Sequence, residues 1–175
     1  MNVNKHLLLL SGKAQAGKDT FADSIASLGF ERYAFADALK FEAISGGWDG
    51  TKDFRGRVLL QELGSVWRNY EPDHWILRLQ ESIRHDRVVV TDCRYRNEIS
   101  IMQTWGHEHG YSVITVRINR PGHDNGLSLE AKGHPSECEL DDEVFDMVVE
   151  NNGTLLQFCI GARENIKRYM EELVK

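Results

Sequence analysis

Apolar positions along the chain fall into two spacings. The run HLLLLS, His6 to Ser11, is continuously apolar and stops at a glycine-containing loop, which predicts a strand buried on both faces. KDTFADSIASLGF then places Phe21, Ile25 and Leu28 at helical spacing, with Gly29 as the stop. RYAFAD predicts a second short strand, ALKFEAI the start of a helix, and SGGWDGTKD a loop. In FRGRVLLQELGSVWRNY, residues Val58, Leu59, Leu63, Val66 and Trp67 share one broad helical face. Pro72 ends that helix, Asp73 is the expected N-cap of the next, and Trp75, Ile76, Leu79 and Ile83 form its apolar face. RVVVTD is a further buried strand, RNEISIMQTWG a helix and YSVITVRI a strand. The 19-residue stretch NRPGHDNGLSLEAKGHPSE, largely polar and glycine-containing, has no period, and a loop that long inside a domain is usually functional or disordered. DMVVENN predicts a last strand, and TLLQFCIGARENIKRYMEELVK an amphipathic closing helix after Gly153.

Five strands alternating with helices predict an α/β fold: three layers around a central, mainly parallel five-stranded sheet. A length of 175 residues fits a single domain. Ligands of such sheets bind beyond the carboxyl ends of the strands, where the sharpest polar clusters of this chain lie. A net charge of −6 disfavours a nucleic-acid partner but leaves room for a local basic pocket. Cys93, Cys138 and Cys159 are odd in number and far apart, so a reducing, cytoplasmic setting is expected. Leu7–Leu10 is too short for a membrane span, and no membrane partner is expected. GHEHG, Gly106 to Gly110, lacks further ligands nearby and reads as a solvated loop.

Chemistry enters with SGKAQAGKDT. Gly12, Lys13, Ala14, Gln15, Ala16, Gly17 and Lys18 match G-x-x-x-x-G-K, with a strand before and a helix after. Glycines let the backbone curl so that its N–H groups face a phosphate, and the helix N-terminus adds partial positive charge. Lys18 would bridge the β- and γ-phosphates of ATP. Asp19 stands where a hydroxyl is usual, and the hydroxyl follows at Thr20. Either oxygen could meet Mg²⁺, and Asp19 could equally serve only the helix N-terminus.

SGKAQAGKDT, FADALK, LLQELGSVWR, DHW, VVVTDCRYRNE, VRINRPG, GHPSE and VVENNGTL together resemble the phage-type deoxynucleoside monophosphate kinase family, nearly end to end. GKDT and DCRYRNE are the more specific pieces. FADALK and NNGTL are also similar to dephospho-coenzyme A kinases, and animal-type phosphomevalonate kinases share a GKD loop. The resemblance implies a P-loop kinase fold with a helical acceptor-binding region at about 37–85 and a lid at about 118–140. It implies transfer of the γ-phosphoryl of ATP, with Mg²⁺, to a deoxynucleoside 5′-monophosphate. Nucleotides would be the small-molecule partners, and a homodimer is allowed.

Within that resemblance, Asp92 at the tip of the third strand organises Mg²⁺ or water, and Arg94 forks onto the acceptor phosphate. Glu98 orients Arg94 or contacts the acceptor. Arg57, Gln61 and Arg68, spaced by four and seven, line one helix face to grip phosphate and read a base, with Gly64 allowing close approach of a ligand or a helix. Trp75 offers an aromatic face to the nucleoside, and Asp37 and Lys40 lie on the acceptor side. Arg117 and Arg120 open the lid, and His134 and Glu137 either fix it or contact substrate. Asn152, with Gly153, lies near the expected adenine pocket. Two alternatives stay open: a kinase for another acceptor such as dephospho-coenzyme A, and a nucleotide-binding regulatory ATPase. The guanine-reading Asn-Lys-x-Asp of a GTPase switch is absent.

Overall fold

The computed structural model describes residues 5–51, 53–124, 126, 128 and 132–173. The chain divides into two compact units, Met1–Arg32 with His85–Lys175, and Tyr33–Arg84.

The first unit holds the sheet except for Tyr33, the last residue of its edge strand. Its strands are β1 (His6–Ser11), β2 (Glu31–Tyr33), β3 (Arg87–Val90), β4 (Ser112–Asn119) and β5 (Met147–Glu150). They lie side by side in the order β2-β3-β1-β4-β5, all parallel. Leu9 pairs with Val90 on one side and Thr115 on the other, so β1 is central and its carboxyl end lies between two neighbours. All six β1 residues are buried, as a strand covered on both faces requires. Helix α1 (Lys18–Ile25) packs on the closing helix, α7 (Leu155–Glu172), where Phe21 and Phe158 meet at 6.4 Å between ring centroids. A 3₁₀ turn and Gly29, at φ 86, end the α1 region as the sequence predicts. Thr154 and Gln157 close a capping box on α7. Val174 and Lys175 of the predicted closing helix lie outside the described residues.

The second unit contains α2 (Phe35–Ser45), α3 (Phe54–Tyr70) and α4 (His74–Ser82). Trp75, Ile76, Leu79 and Ile83 are buried together, as expected. Asp73 occupies the N-cap without a capping bond from its side chain. The predicted face of α3 is only partly covered: Leu59 and Val66 are 41% and 63% exposed, while Gly56 and Gly64 are buried. The helix therefore docks through its glycine side. A Cβ on Gly64 would sit 3.4 Å from Leu39 Cδ2, and the Gly64 carbonyl accepts a 3.2 Å bond from Trp75 Nε1. α2 starts at Phe35, so FAD of the predicted strand RYAFAD belongs to the helix; its N-cap, Ala34, has no capping side chain to announce it.

Helix α5 (Arg96–Glu108) and the single-turn α6 (Pro135–Cys138) complete the first unit. Among the described residues, no helix is long and apolar enough to cross a membrane.

His6 supplies a pH-dependent contribution at the start of β1. It is 3% exposed, its Nδ1 has no hydrogen-bond partner, and its ring lies among Phe30, Tyr169 and the charge of Arg87. Burial first and Arg87 second hold its pKa below the usual imidazole value. The unfolded chain therefore binds a proton more readily than the folded one. Stability conferred by neutral His6 is full above the unfolded pKa and is lost as pH falls from about 6.5 towards the folded value. Urea unfolding at pH 7.5 and pH 5.5 is expected to show a loss at the lower pH that is smaller in His6→Leu; an equal loss in both proteins excludes His6 as its source.

Candidate active site

The loop between β1 and α1 is held open by bonds to its carbonyl groups. Lys18 Nζ folds back to the Gly12 and Lys13 carbonyls at 2.7 and 2.9 Å. Arg120 Nη1 donates to the Gln15 carbonyl at 3.2 Å, and Asn151 Nδ2 to that of Ala16 at 2.9 Å. Gln15 is the described non-glycine residue with positive φ, at 61°, and its side chain is also met by His123 Nε2 at 3.2 Å. With these carbonyls bound, the loop backbone is fixed in a curl; its Ala14 amide donates to Glu137 Oε2 at 3.0 Å and its Ala16 amide to the Lys13 carbonyl at 3.1 Å.

The glycines are required by neighbours as much as by backbone angle. A Cβ on Gly12, at φ 151, would meet the Ile118 carbonyl at 2.5 Å. One on Gly17, at φ 109, would meet Asn151 Nδ2 at 2.7 Å. Gly17 caps α1 without a side chain of its own, which leaves the first helical amides uncapped by sequence.

Other segments converge on the loop. Cys93 N–H donates to the Leu10 carbonyl at 3.1 Å, extending the β3 side past Val90 and fixing Asp92 and Arg94 beside β1. Arg94 is aimed by Glu98, which is buried and accepts from the Arg94 and Tyr95 amides at 2.7 and 3.1 Å while completing the α5 capping box. Of the two roles expected for Glu98, this geometry favours orienting Arg94. Arg94 Nη1 donates to Glu137 Oε1 at 2.6 Å, and Glu137 Oε2 accepts from the Ala14 amide at 3.0 Å. Lys13 bonds the Glu137 carbonyl at 2.5 Å and forms a short ion pair with Asp141.

Arg117 belongs to β4 and is fixed between Ser11 Oγ, at 3.0 Å, and Asp141 Oδ1, at 2.7 Å. These bonds from Lys13 and Arg117 hold the Asp141 carboxyl below its usual pKa, against the opposing effect of its partial burial. His134 caps α6 through Ser136, a role in fixing the segment. The lid predicted at 118–140 is described only in part; residues 125, 127 and 129–131 lie outside the described residues.

Lys18 is electrostatically constrained. Burial, reinforced by Arg94, lowers its pKa to about 8, while Glu137, Asp19 and Asp92 act in the opposite direction. Lys18, Asp19, Thr20, Arg120, Asn151 and Leu155 help line a cavity of about 310 Å³. A second cavity, of about 550 Å³, is lined by Lys13, Ala14, Arg117, Arg120, His123 and Glu137 among others. Asp19 is exposed and paired with Arg32 at 3.4 Å. Among the described residues there is no group of three or more His, Cys, Asp or Glu side chains able to hold a metal.

One sequence expectation is corrected. Trp75 is 2% exposed and its indole N–H is bonded to Gly64, so it is a core residue without a face to offer a nucleoside. Asn152 is exposed, between Asn151 and Gly153, which both line the 310 Å³ cavity; of the two asparagines, Asn151 makes the loop contact. In the second unit, Asp37 pairs with Lys40 at 2.9 Å, Arg57 and Gln61 are exposed, and Arg68 is half-buried with a guanidinium nitrogen 3.4 Å from where a Gly64 Cβ would stand. Asp141, Asn151, Ser11 and His123 were not legible as loop contacts; their partners are more than 100 residues away in sequence, which no local spacing reports.

No family model and no curated protein matches the chain. Solved structures do. A gluconokinase from Sinorhizobium meliloti 1021 superposes with a TM-score of 0.54 at 17% identity, covering 99% of this chain and 98% of that one. A dephospho-CoA kinase from Campylobacter jejuni gives 0.55 at 16%, covering 94% and 97%. The Mycobacterium tuberculosis APS kinase CysC in complex with AMPPNP and APS gives 0.51 at 15%, covering 96% and 98%. At such identities the likeness establishes architecture: the chain has the fold of the P-loop kinases.

Proposed function

We propose that the protein transfers the γ-phosphoryl group of ATP to a deoxynucleoside 5′-monophosphate, giving ADP and the deoxynucleoside diphosphate. The observation that carries this reading is the convergence of Arg94, from the end of β3, with the Ala14 amide of the loop on one anion, the Glu137 carboxylate. A loop that binds only ATP has no need of a second guanidinium there; phosphoryl transfer, which brings two phosphates together, does. The DCRYRNE block that contains Arg94 is also among the more specific pieces of the sequence resemblance.

In this reading an oxygen of the acceptor phosphate forms a bond to the γ-phosphorus as the bond to the β,γ-bridging oxygen breaks in line, and that oxygen leaves with ADP. Lys18 moves from the Gly12 and Lys13 carbonyls to the transferring group, and Arg94 holds the acceptor phosphate. Arg120 secures the loop and Arg117 adds fixed positive charge from β4. The oxygens available to Mg²⁺ are Asp19 or Thr20 and Asp92, a sparse set that suits an ion held largely by phosphate oxygens and water. Bound there, Mg²⁺ would neutralise charge on the β- and γ-phosphates. Recognition of the acceptor is assigned in the same proposal to Asp37, Lys40, Arg57, Gln61 and Arg68.

A coupled assay of ADP formation, with ATP, Mg²⁺ and a panel of the common and base-modified deoxynucleoside monophosphates plus dephospho-coenzyme A, tests the reading. At least one deoxynucleoside monophosphate is expected to be turned over, with kcat/KM falling by about 10²- to 10³-fold in Lys18→Ala and in Arg94→Ala. Turnover of dephospho-coenzyme A alone, or ATP hydrolysis indifferent to every acceptor, would move the protein to one of the other classes. Unchanged turnover in either variant removes that residue from the mechanism.

The Lys18 pKa yields a second expectation. Phosphate binding favours protonated Lys18, so the affinity for a non-hydrolysable ATP analogue should weaken as pH rises through about 8, by up to about tenfold per pH unit. Lys18→Ala should bind weakly and without that dependence. A flat wild-type profile between pH 7 and 9.5, measured by calorimetry, would contradict the role of Lys18.

A further inference from the structure

Glu137 is an unusual residue to find against a phosphate loop. Its side chain is only 8% exposed, although it lies on α6 in a polar segment. Each of its two carboxylate oxygens takes one donor, the Ala14 amide at 3.0 Å and Arg94 Nη1 at 2.6 Å. Two oxygens of a phosphate would take the same pair. The segment that delivers Glu137 is itself clamped: Lys13 holds the Glu137 carbonyl, Asp141 takes Lys13 and Arg117, and Glu139 and Glu143 accept from Arg96 at 2.9 and 2.5 Å. Loop, β3 end and α6 thus form a closed set of bonds with a carboxylate at its centre.

A carboxylate and a phosphate cannot share those donors, and two anions that close repel strongly in a partly buried site. We infer that Glu137 is a built-in competitor: its carboxylate occupies the Ala14 and Arg94 donors until a phosphate displaces it, so that docking of the Pro135–Asp141 segment and binding of phosphate at the loop oppose one another. The inference rests on the loop's being a phosphate site, as proposed above, and is independent of which acceptor is used. Apparent affinity is the intrinsic affinity multiplied by the fraction of molecules in which Glu137 is withdrawn. Removing the negative charge while keeping the shape should raise it.

The test uses inorganic pyrophosphate as the probe, titrated calorimetrically into the full chain. Glu137→Gln is expected to bind about tenfold more tightly than the wild type, as a latch closed in about nine molecules of ten requires. Asp142→Asn removes the same charge beside the segment, at an exposed residue outside the set of bonds that clamps it, and is expected to stay within about twofold of wild type; an equal gain there would reduce the effect to net charge and overturn the latch. Pyrophosphate binding that is unchanged or weaker in Glu137→Gln also overturns it. Absence of pyrophosphate binding by every form contradicts the phosphate-loop reading itself, and with it the latch. Wild-type protein gives a check that needs no variant: cleavage by a glutamate-specific protease at Glu137 or Glu139 should accelerate with saturating pyrophosphate, and protection at those sites would contradict the displacement.

Discussion

The fixed conformation of the loop from Gly12 to Gly17 is the constraint on which the rest of the site depends. A curled backbone that exposes several amides on its inner side must dispose of its carbonyls elsewhere. Here they are bound by Lys18, Arg120 and Asn151, which come from the loop's own helix, the end of β4 and the end of β5. The loop is therefore a property of three strand ends, with the motif supplying only the part that must be glycine. Gly12 gives way to the Ile118 carbonyl and Gly17 to Asn151, so both glycines are also imposed by adjacent strands. Gln15, held in a left-handed conformation, is tolerated because Arg120 and His123 both grip it.

Charge organises the second level. Lys13, Lys18, Arg94 and Arg117 crowd one end of the sheet, and a pocket that cationic cannot be left uncompensated in a partly buried place. Glu98, Glu137 and Asp141 supply the counter-charges, and each does so in a different way. Glu98 spends its carboxylate on backbone amides and acts on Arg94 by positioning. Asp141 joins Lys13 to Arg117. Glu137 accepts from a backbone amide of the loop itself, that of Ala14. The lowered pKa of Lys18 records the balance: burial and Arg94 outweigh the acids around it.

Much of this was legible in the sequence wherever the signal is local. The continuous apolar run of β1, the glycines and Lys18 of the loop, the stop at Gly29 and the buried face of α4 follow from spacing alone. The extent of α3 and the close approach at Gly64 followed as well, but its covered face did not, because the period of its leucines and valines says nothing about which face is covered, and here Gly56 and Gly64 lie on it. The start of α2 was missed for want of a capping side chain at Ala34. Trp75 fitted both a core and a ligand-stacking role until its indole N–H was found on Gly64. Asn151 and Asn152 are equivalent by composition, and only the register of β5 selects between them. Asp141 could not be found at all from spacing, since its partners Lys13 and Arg117 meet it only once β4 and the loop are in place.

The central claim, that the loop is a triphosphate site with Lys18 as its mobile cation, is tested most directly by a crystal structure of the protein with a non-hydrolysable ATP analogue and Mg²⁺. The β- and γ-phosphate oxygens are expected within hydrogen-bond distance of the amides that lead into α1, with Lys18 Nζ transferred to them from the Gly12 and Lys13 carbonyls. A triphosphate bound away from the loop, or bound there with Lys18 still on those two carbonyls, would contradict it.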